Sequence, residues 1–262
     1  MKFPKKVTEH ICHWLEKYLK ESHMKGFVVG ISGGVDSAVT STLCAKTGYP
    51  VLCLEMPILQ EEGQVNRAQE HLNWLKSQYP NVHSLQVPLD AVFQSFTQVI
   101  PESDNETAQF LSLANTRARF RMATLYYFAA LHGYLVAGTG NKVEDFGVGF
   151  YTKYGDGGVD ISPIADLLKT DVFALAKHLD IIPAIQHAAP TDGLWGDNRT
   201  DEDQLGATYS ELEWAMDAYE KEGATPYSPR QKEVIELYSQ LHRQNLHKMI
   251  PIPVCKIPEE FK

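Results

Sequence analysis

Short β-type runs alternate with helical segments along most of this chain, and this alternation limits its fold more than any other feature of the sequence. Each β-type run is rich in valine, isoleucine or leucine, and the longer segments between the runs carry apolar residues at helical spacing. Strands that alternate with helices pair in parallel, with helices on both faces of the sheet. We therefore expect a single-domain α/β fold, a doubly wound parallel sheet whose ligands bind outside the carboxyl ends of the strands.

The expected elements can be placed by residue number. Strands are expected at 27–31, 50–56, 82–87 and 134–137, and a fifth at 159–164. Apolar residues from Val7 to Leu19 share one helical stripe, and further helices are expected at 37–46, 61–79, 103–131, 170–179, 208–222 and 229–243. Ser103 and Glu106 have the spacing of a capping box at the start of the long helix. We also expect a mobile loop around 192–206 and a C-terminal tail at 245–262.

The composition argues against several classes of protein. A formal net charge of −9 disfavours a nucleic-acid binder, because such proteins present a basic face. No apolar run approaches the ~20 residues of a membrane span, and the N-terminal residues do not form a signal peptide. The four cysteines, at positions 12, 44, 53 and 255, include no Cys-x-x-Cys pair, so neither a zinc site nor a disulfide framework is expected. A reducing, cytoplasmic location is the expectation.

A glycine-rich loop follows the first expected strand and leads into a helix. Its residues are Gly30, Ile31, Ser32, Gly33, Gly34, Val35, Asp36 and Ser37. The glycines let backbone N–H groups approach an anion, and the helix N-terminus adds positive potential. Ser32 and Ser37 can donate hydroxyl hydrogen bonds, whereas Asp36 would repel a bare phosphate and suits a loop that also holds Mg²⁺. The loop is a candidate phosphate site.

Other interpretations of this loop compete with phosphate binding. A pair of glycines often serves only the geometry of a strand–helix turn, although the neighbouring serines and aspartate make that the minority interpretation. A Walker-type loop is excluded because no Gly-Lys-Ser or Gly-Lys-Thr occurs. The Gly-x-Ser-x-Gly spacing around Ser32 also fits the nucleophile elbow of a hydrolase, with His187 or His247 as candidate partners. The loop by itself does not decide between a hydrolase and a phosphate site.

The run Ser32-Gly33-Gly34-Val35-Asp36-Ser37 resembles the Ser-Gly-Gly-x-Asp-Ser signature of the N-type ATP pyrophosphatases. Enzymes of that superfamily cleave ATP between the α- and β-phosphates and share the adenine nucleotide alpha hydrolase-like fold. Further segments of the chain are similar to one of its families, the NAD synthetases. These segments are 115–122, 138–144, 150–160, 194–195, 200–206 and 247–248, and the similarity runs from about residue 5 to 255.

The resemblance implies a carbon–nitrogen ligase that amidates deamido-NAD with ammonia and converts ATP to AMP and pyrophosphate. The nicotinate carboxylate would attack the α-phosphate, and ammonia would then displace AMP from the mixed anhydride. Mg²⁺ is the implied cofactor and ATP the co-substrate, and the enzyme would work by positioning anions and neutralising charge. Glutamine-dependent relatives carry a separate amidase domain, for which the roughly 25 residues before the first strand are too few. Free ammonia, or ammonia supplied by an unlinked partner, is therefore expected.

The resemblance also assigns roles around ATP. The loop from Gly30 to Ser37 would hold its phosphates, and Asp36 and Glu144 would ligate Mg²⁺. Lys169 matches a lysine that touches the transferring phosphate, so Asp36 and Lys169 are the expected catalytic residues. Two threonines that match ATP contacts are Thr139 and Thr191. Without the resemblance, Glu144 is only an acid near the end of a strand, and the lysine and threonines are ordinary surface or turn residues.

A second set of residues matches family positions that bind deamido-NAD. These residues are Arg119, Lys153, Asp160, His247 and Lys248. Arg117, Arg119 and Arg121 lie two apart on the long helix, so at most one or two of them can reach a site, and we select Arg119. Members of the family are homodimers with the substrate at the interface, and the same arrangement is expected here.

One departure from the family pattern and several alternative functions remain. Between Glu144 and Lys153 the chain carries one residue more than the commonest family spacing, which leaves the geometry around Asp145 open. The pyrophosphatase subunit of GMP synthetase would use xanthylate in place of deamido-NAD. An esterase using Ser32 would be labelled by a fluorophosphonate, and a nucleotide sensor would bind ATP without forming pyrophosphate. The acidic charge and the absence of a redox cysteine pair disfavour the sulfur-transferring tRNA enzymes.

Overall fold

Within residues 1–60, 62–191, 200–221 and 226–262, which this computed structural model describes, four parallel strands form the central sheet. The strands are β1 (Phe27–Gly30), β2 (Val51–Glu55), β3 (Val82–Gln86) and β4 (Leu135–Val136). Their order across the sheet is β3-β2-β1-β4, with β1 paired in parallel to both β2 and β4. The chain reverses direction across the sheet between β1 and β4, which opens a crevice at their carboxyl ends.

Helices connect the strands and cover both faces of the sheet. They are α1 (Pro4–Glu21), α2 (Val35–Lys46), α3 (Glu62–Gln78), α4 (Asp90–Val99), α5 (Glu106–His132), α6 (Lys169–His178), α7 (Pro183–Gln186), α8 (Asp201–Leu205), α9 (Tyr209–Glu220) and α10 (Pro229–Met249). A π-helical turn occupies Val143–Val148, and a short 3₁₀ helix lies at Glu259–Phe261. The expected doubly wound α/β fold is confirmed.

The two faces of the sheet have separate hydrophobic clusters because successive strand residues point in opposite directions. Val29 packs into the cluster formed with α1, α2, α3 and α6, whereas its neighbour Val28 packs into the cluster with α4 and α5. Leu15 and Leu19 of α1 are fully buried, as the helical stripe predicted, and each such side chain contributes about 2 kcal/mol. The sheet is thus a rigid support for the loops at its carboxyl edge.

A third hydrophobic cluster lies beside the sheet. The π-helical turn, α9 and α10 form it, with Leu212 and Tyr238 fully buried at its centre. Thr208 and Ser228 begin these two helices as capping-box residues, each accepting a hydrogen bond from the third backbone N–H of its helix. The cluster holds the segment after β4 against the open end of the sheet.

Several expected elements differ from the observed ones. Residues 159–164 form only an isolated bridge, between Ala137 and Ile161, so the fifth strand is wrong. Helix α4 was not expected. The long helix starts from Asn105, whose side chain accepts a hydrogen bond from the Ala108 N–H, and the capping box at Ser103 does not form. Asparagine caps a helix as well as serine does, so the spacing alone did not distinguish the two starts.

The expected loop around 192–206 is partly helical. Its residues 192–199 lie outside the described part of the chain, and Asp201–Leu205 forms α8. Thr200 caps that helix through a capping box with Asp203. A capping box consists of polar residues, so this helix start has the composition that is typical of a loop. The expected tail likewise starts later, because α10 continues to Met249 and residues beyond it are exposed.

The structure also bears on the expectations about the four cysteines and about membrane-spanning helices. All four cysteines are free, and burial raises the pKa of Cys12 to about 11, so its thiol stays protonated at neutral pH. Across the residues that the structure describes, no helix combines the length and the apolarity needed to cross a membrane.

Candidate active site

The glycine-rich loop lies in the crevice between β1 and β4. Gly33 adopts a φ of +82°, a left-handed conformation that favours glycine. The Ser37 hydroxyl donates to the Gly34 carbonyl at 3.0 Å and lies 3.1 Å from the Ser32 hydroxyl, which accepts the Gly34 N–H at 3.2 Å. These bonds shape the loop as a turn at the N-terminus of α2, where backbone N–H groups and the helix dipole favour an anion.

The nucleophile-elbow interpretation fails in this geometry. An elbow serine sits on a strained turn and is bonded to a histidine. Ser32 is absent from the residues with positive φ, and its hydroxyl is bonded only to Ser37 and Gly34 within the described parts of the chain. His247, one of the proposed partners, lies on α10 with its Nδ1 at 3.1 Å from the Gln244 carbonyl. Ser32 is a hydrogen-bonding residue of the loop.

Two carboxylates and a lysine meet beside the loop. Asp36 lies in the first turn of α2, Glu144 follows β4, and Lys169 is the first residue of α6. The Lys169 ammonium donates to Asp36 Oδ2 at 2.6 Å and to Glu144 Oε1 at 2.9 Å, and its residue is only 3% exposed. One ammonium between two carboxylates leaves a net charge of −1, which an additional cation would balance.

Asn141 connects the two sides of this cluster. Its side-chain amide donates to Asp36 Oδ1 at 3.0 Å, and its side-chain oxygen accepts the Glu144 N–H at 3.2 Å. The residue is fully buried, so a short side chain is held in one orientation between the two loops. Asn141 was part of the recognised motif at 138–144, but no role was expected for it.

The charges of the cluster shift its pKa values. Burial raises the pKa of Asp36 above its ordinary value, against the Lys169 ammonium and with help from the Glu144 charge. Burial acts in the same direction on Glu144, but Lys169 and the Tyr209 hydroxyl outweigh it and lower that pKa. For Lys169, burial is outweighed by the two carboxylates, which raise its pKa. At neutral pH, Glu144 is therefore ionised and Lys169 protonated.

The segment after Glu144, where one additional residue was expected, begins with a π-helical turn at Val143–Val148. A π turn spans five residues from acceptor to donor, one more than an α turn, and such turns are common at functional sites. It ends at Gly149 with a φ of +67°, and the Phe150 N–H donates to the Glu144 carbonyl at 2.9 Å. The Asp145 carboxylate occupies the place of a Cβ on Gly140, so any larger residue at position 140 would require the Asp145 side chain to move. Burial raises the pKa of Asp145 well above its usual range.

A second group of expected site residues meets on the other side of this turn. Arg119 of α5 donates from Nη2 to the Lys153 carbonyl at 3.3 Å, and the Lys153 ammonium donates to the His247 carbonyl. The three residues come from three separate segments, so the structure brings them together. Arg117 is buried against Phe93, and Arg121 donates from Nε to the Met56 carbonyl at 3.0 Å, so the three arginines have different surroundings.

Two residues of that group already have partners in the protein. The Lys248 ammonium donates at 2.8 Å to the carbonyls of Gly149 and Tyr151, which closes the segment after the π-helical turn. The Asp160 carboxylate accepts from the Val136 N–H at 2.8 Å and from the Tyr126 hydroxyl at 3.0 Å. Both side chains hold the walls of the site, and their contact with substrate stays a prediction.

The two expected threonines lie at the edges of the crevice. Thr139 is half-buried and follows β4, the strand that pairs with β1 beside the glycine-rich loop. Thr191 is exposed and immediately precedes the residues 192–199 that fall outside the described chain. A small cavity beside Ser32 lies between the ends of β1 and β2 and the start of α3, with Glu55 and Gln60 in its lining. Glu55 is buried, and its Oε2 has no hydrogen-bond partner among the described residues.

Comparison with known proteins identifies the family. A sequence profile of NAD synthase matches residues 7–251. The chain belongs to the NAD synthase family. An NH3-dependent NAD+ synthetase of Carboxydothermus hydrogenoformans is 35% identical over 247 residues, which cover 92% of this chain and 93% of the relative. Among solved structures, NMN synthetase from Francisella tularensis has 31% identity and a TM-score of 0.82, with 98% of each chain covered.

A further solved structure supports the fold of this chain. NH3-dependent NAD synthetase from Campylobacter jejuni, solved with a nitrate ion, is 25% identical with a TM-score of 0.77 over 97% of this chain and 99% of that one. The resemblance inferred from the motifs and the expected fold are therefore both confirmed. The motifs at 32–37 and 138–144 flank the crevice between β1 and β4.

Two residues of α9 near the site were not predicted from the sequence. The Tyr209 hydroxyl donates to Glu144 Oε1 at 2.6 Å, and the Glu213 carboxylate accepts the N–H and hydroxyl of Thr170 at 2.9 and 2.8 Å. Both lie in a segment that read as an ordinary amphipathic helix. The only signal in the sequence was a tyrosine directly after a capping threonine, which is too common to indicate a site.

Proposed function

We propose that this chain catalyses the ATP-dependent amidation of deamido-NAD by ammonia, giving NAD, AMP and pyrophosphate. The observation that carries the proposal is the convergence of Asp36, Glu144 and Lys169 beside an anion-binding loop. That convergence occurs in a chain whose family profile covers residues 7–251 and whose relatives are named as NH3-dependent NAD+ synthetases. A lysine and two carboxylates at a helix N-terminus suit transfer between phosphate and a carboxylate.

The proposed reaction has two steps, adenylation of the carboxylate and displacement of AMP by ammonia. An oxygen of the nicotinate carboxylate attacks the α-phosphorus of ATP, and the bond to the β-phosphate oxygen breaks, so pyrophosphate leaves and an acyl adenylate forms. Ammonia then attacks the acyl carbon, the bond to the AMP oxygen breaks, and one proton is released. The protein supplies position and charge compensation and no covalent nucleophile.

Each part of the crevice has a place in this proposal. The loop from Gly30 to Ser37 holds the β- and γ-phosphates through its N–H groups and hydroxyls, and Thr139 and Thr191 contact ATP. Lys169 neutralises charge at the transferring phosphate, where its ammonium loses little freedom because it is already fixed.

Mg²⁺ is the proposed cofactor, held by Asp36 and Glu144. The pair fits a cation, because the Lys169 ammonium already lies between the two carboxylates at 2.6 and 2.9 Å. Oxygen ligands are those that Mg²⁺ prefers, and two carboxylates leave coordination positions for water and phosphate oxygens. When bound, Mg²⁺ would supply Lewis-acid polarisation of the phosphate oxygens.

Deamido-NAD is proposed to bind along Arg119, Lys153 and His247, the group that meets beside the π-helical turn. The two cationic side chains suit its pyrophosphate or ribose hydroxyls. Asp160 and Lys248 shape the same region and contact substrate in this proposal.

The chain is proposed to act as a homodimer with the substrate at the interface. Arg119, Ala123, Tyr127 and Leu131 are all exposed and spaced by four residues, so they form one stripe along α5. Tyr127 and Leu131 are 64% and 61% exposed, which is unusual for side chains of this size next to a charged site residue. A second copy packed on this stripe would place Arg119 at its edge.

We further propose that residues 1–262 form one catalytic domain that works in the cytoplasm. The α-helices α1 to α10 pack on the sheet or on the third cluster, which adjoins the sheet through Leu168 and the π-helical turn. Four free cysteines suit a reducing compartment.

The test is an assay with ATP, Mg²⁺, ammonium and deamido-NAD, in which AMP, pyrophosphate and NAD are quantified together. Equal amounts of the three products are expected, and the rate with ammonium should exceed that with glutamine. The absence of both AMP and NAD would overturn the proposal.

The similarity to an NMN synthetase supports a second candidate substrate, the mononucleotide with the same nicotinate carboxylate. The chemistry at the carboxylate is unchanged, and the two substrates differ only in the AMP half of the dinucleotide. The same assay with nicotinate mononucleotide separates them: a higher kcat/KM for deamido-NAD supports the first candidate, and the reverse supports the second.

A further inference from the structure

The Tyr209 side chain joins the Glu144 carboxylate to helix α9. It is the first residue of α9 and is 5% exposed. Its hydroxyl donates to Glu144 Oε1 at 2.6 Å and lies 3.3 Å from Asp201 Oδ2. The short distance to Glu144 is that of a charge-assisted hydrogen bond, so the hydroxyl holds this carboxylate more tightly than a neutral contact would.

Both donors to Glu144 use the same oxygen. The Tyr209 hydroxyl and the Lys169 ammonium each reach Oε1, and Oε2 accepts no hydrogen bond from any residue that the structure describes. A carboxylate with two donors on one oxygen has a fixed rotation about its last torsion angle. The second oxygen is thereby left available, in a fixed direction, for a cation.

The same tyrosine also supports Lys169. The Lys169 ammonium lies 4.8 Å from the centre of the Tyr209 ring, within the range of a cation–π contact. One turn further along α9, Glu213 accepts two hydrogen bonds from Thr170, the residue after Lys169. The first two turns of α9 therefore contact Glu144, Lys169 and the residue that follows Lys169.

The position of Tyr209 is itself fixed by backbone contacts. Thr208 caps α9 through a capping box with Glu211, and the Tyr209 N–H donates to Glu202 Oε1 at 2.7 Å. With its main chain bonded and its ring buried, the side chain has little freedom, as a group that orients another group requires.

We propose that Tyr209 is a positioning residue that orients Glu144 for binding a divalent cation, with Oε1 turned to Lys169 and Oε2 free. The inference rests on the proposed function, because the cation that matters is the one that accompanies ATP. Outer-sphere partners of metal ligands typically alter metal affinity or activity by about 10- to 100-fold when removed. A change of that size is expected here.

The decisive comparison is Tyr209→Phe with Tyr238→Phe. Tyr209→Phe keeps the ring over Lys169 and removes only the hydroxyl. Tyr238 is equally buried in the same cluster formed by α9 and α10, away from the carboxylates, so Tyr238→Phe is the matched control. Binding of Mn²⁺ is measured by the loss of the free Mn²⁺ electron paramagnetic resonance signal, with a non-hydrolysable ATP analogue present.

Tyr209→Phe should weaken Mn²⁺ binding about 10-fold or more and lower kcat by a similar factor, with KM for deamido-NAD unchanged. Tyr238→Phe should change neither. In a Glu144→Ala background, Tyr209→Phe should have no further effect on Mn²⁺ binding, because a residue that acts through Glu144 needs Glu144 present.

Three outcomes would overturn the proposal. They are Mn²⁺ affinity of Tyr209→Phe equal to that of the wild type, an additive effect in the Glu144→Ala background, and a loss of more than about 10 °C in Tm, which would make the hydroxyl a stability contact. Mn²⁺ binding needs no turnover of deamido-NAD. A wild-type protein that binds Mn²⁺ but makes no NAD therefore disproves the proposed function and leaves the role of Tyr209 standing.

Discussion

Lys169 shows how a single residue sets the electrostatics of this site. Its ammonium bridges Asp36 and Glu144 from a position that is 3% exposed, and the ring of Tyr209 lies behind it. A buried lysine would lose its charge without such partners, and a pair of close carboxylates would resist ionisation without such a cation. Each group therefore keeps its charge because of the others.

Asp36→Ala tests the carboxylate side of this arrangement. We expect turnover to fall below detection, since the variant loses one of the two proposed ligands of the metal. The fold should persist with Tm within about 4 °C of the wild type, because Lys169 keeps Glu144 as a partner. Activity and thermal unfolding are measured side by side.

The control for Asp36→Ala is Asp166→Ala, which removes an acid whose side chain is 96% exposed and paired only with Lys142. It should leave activity and Tm unchanged. A large fall in the Tm of Asp36→Ala would mean that Asp36 serves the fold and not the reaction.

Lys153→Ala tests the proposed dinucleotide subsite. The Lys153 ammonium donates to the His247 carbonyl, and the Lys153 carbonyl accepts a hydrogen bond from Arg119. KM for deamido-NAD should rise about 10- to 100-fold, the worth of a charged hydrogen bond, while KM for ATP changes little. Initial rates over a grid of both substrates give the two constants. Lys177→Ala, an exposed lysine on α6, is the control, and equal weakening of both substrates by Lys153→Ala would refute the assignment.

Helix α2, which follows the glycine-rich loop, is stabilised by contacts with helix α3. Ser41 of α2 lies 2.9 Å from Nε2 of His71 on α3, and His71 is fully buried with Nδ1 unpartnered among the described residues. Burial lowers the pKa of His71 to about 4, because a charged imidazole has no water to solvate it there. The neutral ring stacks on Trp74 and keeps α3 packed on α2.

His71 should make the protein less stable in mild acid. In the unfolded chain His71 binds a proton near its ordinary pKa of 6.5, whereas in the folded chain it does so only near 4. The contribution of the neutral ring to the free energy of unfolding is therefore present above pH 6.5 and is lost as the pH falls towards 4. Between pH 7 and pH 5 the free energy of unfolding should fall by about 2 kcal/mol because of this residue. Urea unfolding at both values measures it.

His71→Asn should remove that part of the pH dependence, whereas the exposed His83→Asn should retain it. The same fall in stability for all three proteins would show that other groups cause the effect.

The elements themselves were largely predictable. Strands β1 to β4 and helices α2 and α5 fall within a few residues of their expected bounds, because each has a strong local pattern of apolar residues or a glycine at its end. The fifth strand failed because residues 159–164 form a single bridge with the sheet, between Ile161 and Ala137. Next to that bridge the Val136 N–H donates to the Asp160 side chain and not to a strand carbonyl. The π-helical turn was beyond prediction, since nothing local distinguishes it from an α-helical turn.

At the scale of the molecule, the exposed stripe on α5 predicts association. Tyr127→Asp should raise the dissociation constant of the proposed dimer about 100-fold, because the new carboxylate would be buried without a partner. Sedimentation equilibrium measures the constant. Tyr18→Asp, on α1 at the opposite face of the sheet, is the control and should leave it unchanged. A wild-type protein that is monomeric at micromolar concentration would contradict the prediction.

By itself the sequence determined the family, the order of strands and helices, and the two motifs that flank the crevice. These follow from local patterns, in which spacing and glycine positions carry the information. Only the tertiary structure decided which side chains meet. Tyr209 reaches Glu144 across 65 residues and Lys169 reaches Asp36 across 133, and such contacts depend on how helices pack and not on any local pattern. Asn141 belonged to a recognised motif, yet its role emerged only when packing placed it between two loops.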